Sequence, residues 1–213
     1  MKRIGRALVA VVISLSVVGT AGVAAAGDES RTSRGELSLM GGIQALNEND
    51  TAFPDNFINI PAVATATYYL SPVFAVEGEL TWMIPVKQSA DVGSGVSQDL
   101  KTPDVLAYQA NLRADLPVGS GAWRPYVAAG AGAVTFLSNT DPNTQPALDK
   151  SQTAFAINFG AGLAYRLTSN WSLRADAREF VAFPAEDTAG LSDSGKADEI
   201  WMERGTIGFS YGF

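Results

Sequence analysis

Glu77 and Glu79 stand two residues apart, as do Arg113 and Asp115, and Arg174, Asp176 and Arg178 repeat the spacing twice. In a β-strand, residues i and i+2 project from one face. This spacing therefore gathers carboxylates and guanidinium groups on a single surface. Two carboxylates alone could do general acid–base work. Interleaved with arginines they become ion pairs, and a guanidinium is suited to bridging two carboxylates at once. Glu36, Arg166 and Arg204 join the set by the same parity, giving five acidic and five basic members. The chain has no histidine and no cysteine, which removes the commonest general base, the commonest metal ligand and every thiolate or disulfide. Gly208-Phe209-Ser210-Tyr211-Gly212 matches the G-x-S-x-G nucleophile elbow, but that chemistry needs a strand-to-helix turn and a histidine. Gly130-Ala131-Gly132 and Gly93-Ser94-Gly95 lack the rest of a dinucleotide fingerprint, and no segment has the D-x-D-x-D-G spacing of a calcium loop. Asn170-Trp171-Ser172 fits a glycosylation sequon and reads better as a turn entering a strand. No catalytic residue, cofactor or metal ligand is expected. The ten charged residues read as a structural ionic network.

The elements that would position this network show period-two alternation. Phe155, Ile157, Phe159, Ala161, Leu163, Tyr165 and Leu167 fall on one face of a strand, with Ala156, Asn158, Gly160, Gly162, Ala164 and Arg166 on the other. Similar runs cover 35–46, 57–70, 73–86, 105–116, 124–137, 153–167, 171–183 and 200–213. Each reaches the roughly 9–11 residues that a tilted strand needs to cross a bilayer. Connections after the second, fourth and sixth runs are short (71–72, 117–123 and 168–170), whereas those at 47–56, 87–104, 138–152 and 184–199 are long and polar. An even strand count with short turns on one side and long loops on the other is the pattern of an outer-membrane barrel. The expected fold is all-β: an eight-stranded antiparallel up-and-down transmembrane β-barrel.

Aromatic residues divide in the same way. Tyr68, Tyr69, Phe74, Trp123, Tyr126, Tyr165, Trp171, Tyr211 and Phe213 lie toward the short connections or the carboxyl end, and Phe57, Trp82, Phe136, Phe155, Phe183 and Trp201 toward the long loops. Two aromatic girdles are expected of a spanning barrel. With the apolar face toward lipid, the ten charged residues line the lumen. Eight strands leave room only for side chains to fill, so a packed ionic network is expected in place of an aqueous channel. Gly130, Gly132, Gly160 and Gly162 share the inward parity and would make room for bulky neighbours.

Met1 to Arg6 forms a basic n-region, an apolar stretch runs from Ala7 to Val18, and Ala24 and Ala26 fit an A-x-A cleavage site. Residues 1–26 are thus expected to be a cleaved signal peptide and residues 27–213 the mature barrel domain. Without Lys2, Arg3 and Arg6 the chain holds 12 basic and 22 acidic residues. Such a balance speaks against nucleic-acid binding. The long loops carry most of the excess and make the external surface acidic.

Arg124-Pro125-Tyr126-Val127-Ala128-Ala129-Gly130-Ala131-Gly132 and Trp171-Ser172-Leu173-Arg174-Ala175-Asp176-Ala177-Arg178 resemble strands of the OmpA-like and OmpX-like small outer-membrane barrels, and the likeness extends over the mature chain. Ile207, Phe209, Tyr211 and Phe213 resemble the terminal signal by which such barrels are read by the outer-membrane assembly machinery. The resemblance implies residence in the bacterial outer membrane, with lipid and that machinery as partners. The chain stops at Phe213, so the peptidoglycan-binding domain of full-length OmpA is not expected. Three function classes follow: a structural or surface-interaction barrel, favoured by the balanced lumen; a narrow channel for small solutes; and an enzyme acting on envelope lipid. The barrel enzymes of this architecture use histidine, which counts against the third.

Overall fold

Long alternating strands cannot bury one apolar face singly, and here they solve the problem by closing on themselves. The computed structural model describes residues 34–47, 57–91, 97–116, 122–139, 141–144, 147–184 and 199–213. Residues 1–33, which include the expected signal segment, the loop residues 48–56, 92–96, 140, 145–146 and 185–198, and residues 117–121 of the expected short connection at 117–123 lie outside them. The strands are β1 (Gly35–Asn47), β2 (Phe57–Tyr69), β3 (Phe74–Pro85), β4 (Gln88–Asp91), β5 (Ser97–Leu100), β6 (Val105–Asp115), β7 (Trp123–Phe136), β8 (Gln152–Arg166), β9 (Trp171–Phe183) and β10 (Ile200–Gly212). Eight form a closed antiparallel barrel in the order β1-β10-β9-β8-β7-β6-β3-β2. Among the described residues β4 and β5 pair only with each other. This small hairpin lies within a connection read from sequence as a plain loop, because four-residue strands are too short to show periodicity. Among the described residues no helix is long and apolar enough to cross a membrane. Crossing is by strands.

The turns are short where side chains replace missing ladder bonds. Ser71 Oγ accepts the Phe74 amide at 2.9 Å, and Thr168 Oγ1 accepts that of Trp171 at 3.0 Å. Reciprocal backbone bonds between Gly35 and Phe213, 3.1 and 2.9 Å, close the seam between β1 and β10. Short turns mark the periplasmic rim. There Trp171 meets Tyr211 at 5.1 Å between ring centroids and Trp123 meets Tyr165 at 4.5 Å. Leu39, Leu80, Leu112 and Ile207 are exposed on the outer wall, as a lipid-facing surface requires.

Three of the expected girdle aromatics are corrected by the fold. Tyr69, Tyr126 and Phe136 are buried inside the barrel, since each falls on the inward parity of its strand. The interior has two levels. Toward the periplasm it is polar and charged. Toward the long loops Met83, Val105, Val134, Phe136, Phe180, Ile200 and Met202 form an apolar cluster. Leu148, from the connection between β7 and β8, is buried as a member of that cluster.

Candidate functional site

Nine of the ten expected charged residues converge in the periplasmic half and middle of the lumen. Glu36 (β1), Glu77 and Glu79 (β3), Arg113 and Asp115 (β6), Arg174, Asp176 and Arg178 (β9) and Arg204 (β10) are all buried. Strand register brings them level: Glu77 lies opposite Asn111, and Arg178 opposite Arg204. Arg178 bridges three carboxylates, with Nη2 2.6 Å from Glu77 Oε1, Nη1 3.1 Å from Glu79 Oε2 and Nε 2.9 Å from Asp176 Oδ1. Arg174 Nη2 lies 2.8 Å from the other oxygen of Glu77. Arg204 reaches Glu79 at 2.7 Å and Asp176 at 3.4 Å. Nearer the rim, Arg113 joins Asp115 at 2.7 Å and Glu36 at 3.1 Å. Every carboxylate of the set faces a guanidinium, which is what makes charge tolerable in so narrow an interior.

Neutral side chains complete the mesh and draw in the remaining strands. Tyr126 on β7 donates its hydroxyl to Asp176 at 2.6 Å and accepts from Arg174 Nε at 2.7 Å. Its ring lies under the Arg113 guanidinium, 3.9 Å from the centroid, a geometry favourable to cation–π attraction. Tyr69 on β2 donates to Glu36 at 3.3 Å. Asn158 on β8 donates to Asn111 at 2.8 Å, and Asn111 to Glu77 at 3.2 Å. All eight barrel strands therefore contribute to one connected network.

The inward glycines serve this packing. A Cβ at Gly162 would strike the Tyr126 ring, and one at Gly160 would strike Arg178 Cγ. Tyr69 and Tyr126 were missed as network members from sequence because aromatic residues near short turns read as girdle. Their inward parity was the available signal.

Arg166 is a correction. It sits at the last position of β8, opposite Ser172, and is exposed at the rim. Its inward parity carries it past the packed interior. The buried set thus holds five carboxylates against four arginines. Arg124, at the start of β7 and half-buried, lies near the same rim and donates to Ser172 Oγ at 3.3 Å. Two further carboxylates passed over in the sequence, Glu179 and Glu203, oppose each other across β9 and β10 on the outer wall. Ser210 lies within β10, buried, its Oγ 2.9 Å from that of Ser38. It has the surroundings of a packed hydroxyl and not of a nucleophile elbow. Ile207, Phe209, Tyr211 and Phe213 line one exposed outer stripe.

The fold has counterparts among solved structures. Neisserial surface protein A aligns with 14% identity and a TM-score of 0.57, covering 85% of this chain and 98% of that one. A major outer membrane protein from Thermus thermophilus aligns with 17% identity and a TM-score of 0.52, covering 84% and 99%. Identity this low shows a shared fold alone. No curated protein matches the sequence. Residues 10–213 match the family described as the outer membrane protein beta-barrel domain. That match spans nearly the whole chain and accords with the closed eight-stranded barrel, so this protein belongs to that family of bacterial outer-membrane barrels.

Proposed function

We propose that this barrel is a closed, non-enzymatic envelope protein with a structural or surface-interaction role, presenting acidic loops outside the cell. One observation carries the reading: side chains from all eight strands meet in a single buried network. A pore through that level would have to part several charge-assisted bonds in a low-dielectric interior, each stronger than its counterpart in water. The apolar level beneath Leu148 adds a second obstruction of different chemistry. The lumen offers no histidine or cysteine for catalysis, and its carboxylates are engaged by arginines.

Planar-bilayer recording of the refolded mature protein tests the proposal. The expected record is a silent membrane. Reproducible openings of nanosiemens size would replace it with the narrow-channel reading, in which arginines exchange carboxylate partners to open the lumen. The exposed stripe Ile207, Phe209, Tyr211 and Phe213 supports recognition by the outer-membrane assembly machinery. Removal of Phe213 should lower the amount of barrel recovered in the outer membrane, and unchanged recovery would refute that role.

A further inference from the structure

Four polar atoms of the lumen find no partner among the described residues: both amide atoms of Gln44, the amide nitrogen of Asn59 and Arg204 Nε. All three residues are buried. Strand register sets them side by side, with Gln44 on β1 opposite Asn59 on β2 and opposite Arg204 on β10. Three of the atoms donate and one, Gln44 Oε1, accepts. Buried polar groups are satisfied as a rule, so exceptions gathered on three adjacent strands call for a cause.

A short strap of chain closes over Asn59. Lys101-Thr102-Pro103-Asp104 leads from β5 to β6. Thr102 and Pro103 are buried, and the Thr102 hydroxyl donates to Asn59 Oδ1 at 3.0 Å. The connection between β7 and β8 ties the strap at both ends. The Lys101 amide donates to the Asn143 carbonyl at 3.0 Å, its ammonium lies 2.9 Å from Asp141, and the Asp104 carbonyl accepts the Leu137 amide at 2.9 Å. These fastenings are light, being neutral hydrogen bonds and one part-exposed ion pair, each of modest net strength.

We infer that Gln44, Asn59 and Arg204 form a binding site for water inside the barrel, and that the strap at 101–104 is its lid toward the long-loop side. The donor set names the occupant. A bare cation is turned away by three donors, and an anion would meet Glu79 and Asp176, which already hold the other nitrogens of Arg204. A small neutral ligand that accepts and donates satisfies all four atoms, and water has that chemistry. A buried water makes about three hydrogen bonds, so four open atoms suit about one or two molecules. Thr102 seals the site by taking the remaining acceptor of the cluster, Asn59 Oδ1. Water leaves and enters when that bond and the tethers of Lys101 part together.

The test is NMR of the full barrel refolded into lipid nanodiscs, with water itself as the probe. The side-chain amide protons of Gln44 and Asn59 should show cross-relaxation with long-lived water in the wild-type protein. Gln44→Leu, close in volume, takes away two of the four partners, so the water signal at Asn59 should disappear with it. Thr102→Ala loosens the lid without touching the site. It should speed hydrogen exchange of the Lys101 amide about two- to tenfold, the worth of one hydrogen bond, while the Gly35 amide at the β1–β10 seam exchanges as before. Altered gel mobility of unboiled samples checks that each variant is folded. Absence of the water signal in the wild-type barrel would overturn the site, as would a scalar coupling showing that the Gln44 and Asn59 amides bond each other directly. An Asn59 signal that survives Gln44→Leu would do the same. Unchanged Lys101 exchange in Thr102→Ala, or equal acceleration at Gly35, would overturn the lid.

Discussion

Replacing Arg174 by methionine probes the network at its most shared member. Its guanidinium is fully buried and contacts Glu77 at 2.8 Å, Asp176 at 3.4 Å, Tyr126 at 2.7 Å and Thr65 at 3.2 Å. Methionine approximates the volume of the stem, so the loss is one of charge and hydrogen bonding more than of packing. Removing one partner of a buried ion pair costs about 3–5 kcal/mol, because the other charge stays buried. Here Glu77 keeps Arg178 at 2.6 Å, and Asp176 keeps both Arg178 and Arg204. The cost should therefore fall at the lower end, about 3 kcal/mol. If the Glu77 charge, left with Arg178 alone, is the source of the loss, neutralising it should recover part. Arg174→Met combined with Glu77→Gln should be more stable than the sum of the single variants by about 0.5–3 kcal/mol. Urea unfolding of barrels refolded into vesicles, followed by tryptophan fluorescence and gel mobility, measures all four corners of the cycle. A single-variant loss below about 1 kcal/mol, or strict additivity, would refute a connected network and leave the arginine as one contact among many.

Three other perturbations test separate parts of the barrel. Gly162→Ala should destabilise by about 1–3 kcal/mol, as overpacking does, because Tyr126 is held at both ring and hydroxyl, whereas Gly205→Ala, facing open space on the outer wall, should not. Equal effects in urea unfolding would contradict the close packing of Tyr126 over β8. Leu148→Ala should cost about 2 kcal/mol or more and speed hydrogen exchange at Asn139, whose amide is bonded to the Leu148 carbonyl at 2.9 Å. Unchanged exchange would show that Leu148 does not anchor its connection. Outside the membrane, Lys101 Nζ lies 2.9 Å from Asp141 and ties the connection before β6 to that before β8. Its hydrogen bond, aided by the Asn143 amide, holds the Asp141 carboxyl below its ordinary range. A carboxyl depressed in the folded state adds stability above its unfolded pKa and loses it as pH falls through the folded one. The clasp should therefore hold at neutral pH and loosen only below the ordinary carboxylate range, read by NMR as a shift of the Asp141 carboxyl signal on protonation. Titration at or above the ordinary value would refute the pairing.

How legible the barrel was from sequence depends on where along a strand one looks. In β3 the order Glu77, Gly78, Glu79, Leu80 alternates by chemistry as well as by geometry, and burial alternates with it. The same holds for Arg174 to Arg178 on β9. Toward the long loops the alternation disappears: Trp82, Met83 and Ile84 are apolar on both faces, as are Phe180, Val181 and Ala182. Period-two reading finds a strand there but has no contrast from which to detect a distinct interior. The clue lay in following the inward residues alone, since Glu79 and Thr81 give way to Met83, and Arg204 to Met202 and Ile200. Arg166 failed for the opposite reason. Parity gives the direction of a side chain but not its height, and at a strand end the inward direction leads to the rim.

That change along the inward parity also explains why the charges sit where they do. Buried guanidinium groups need several acceptors each, and the lower lumen supplies them by staggering Glu36, Glu77, Glu79, Asp115 and Asp176 over three strands besides β9, which carries Arg174 and Arg178 as well as Asp176. Above Arg204 the inward residues turn mostly apolar, with Ala107, Ala154, Ala156 and Ala182 beside larger ones such as Met83, Phe136 and Phe180. An arginine raised by two residues would leave its carboxylates behind and meet mostly apolar neighbours, with uncharged amides such as those of Gln44 and Asn59 in place of carboxylates, a position that costs several kcal/mol. The boundary at Arg204, which is ion-paired to Glu79 below and stacked 4.8 Å from the Phe180 ring centroid above, is thus held from both sides. On the proposed closed reading, an ionic level would resist apolar solutes and an apolar level ions, and the two in series would close the barrel to both.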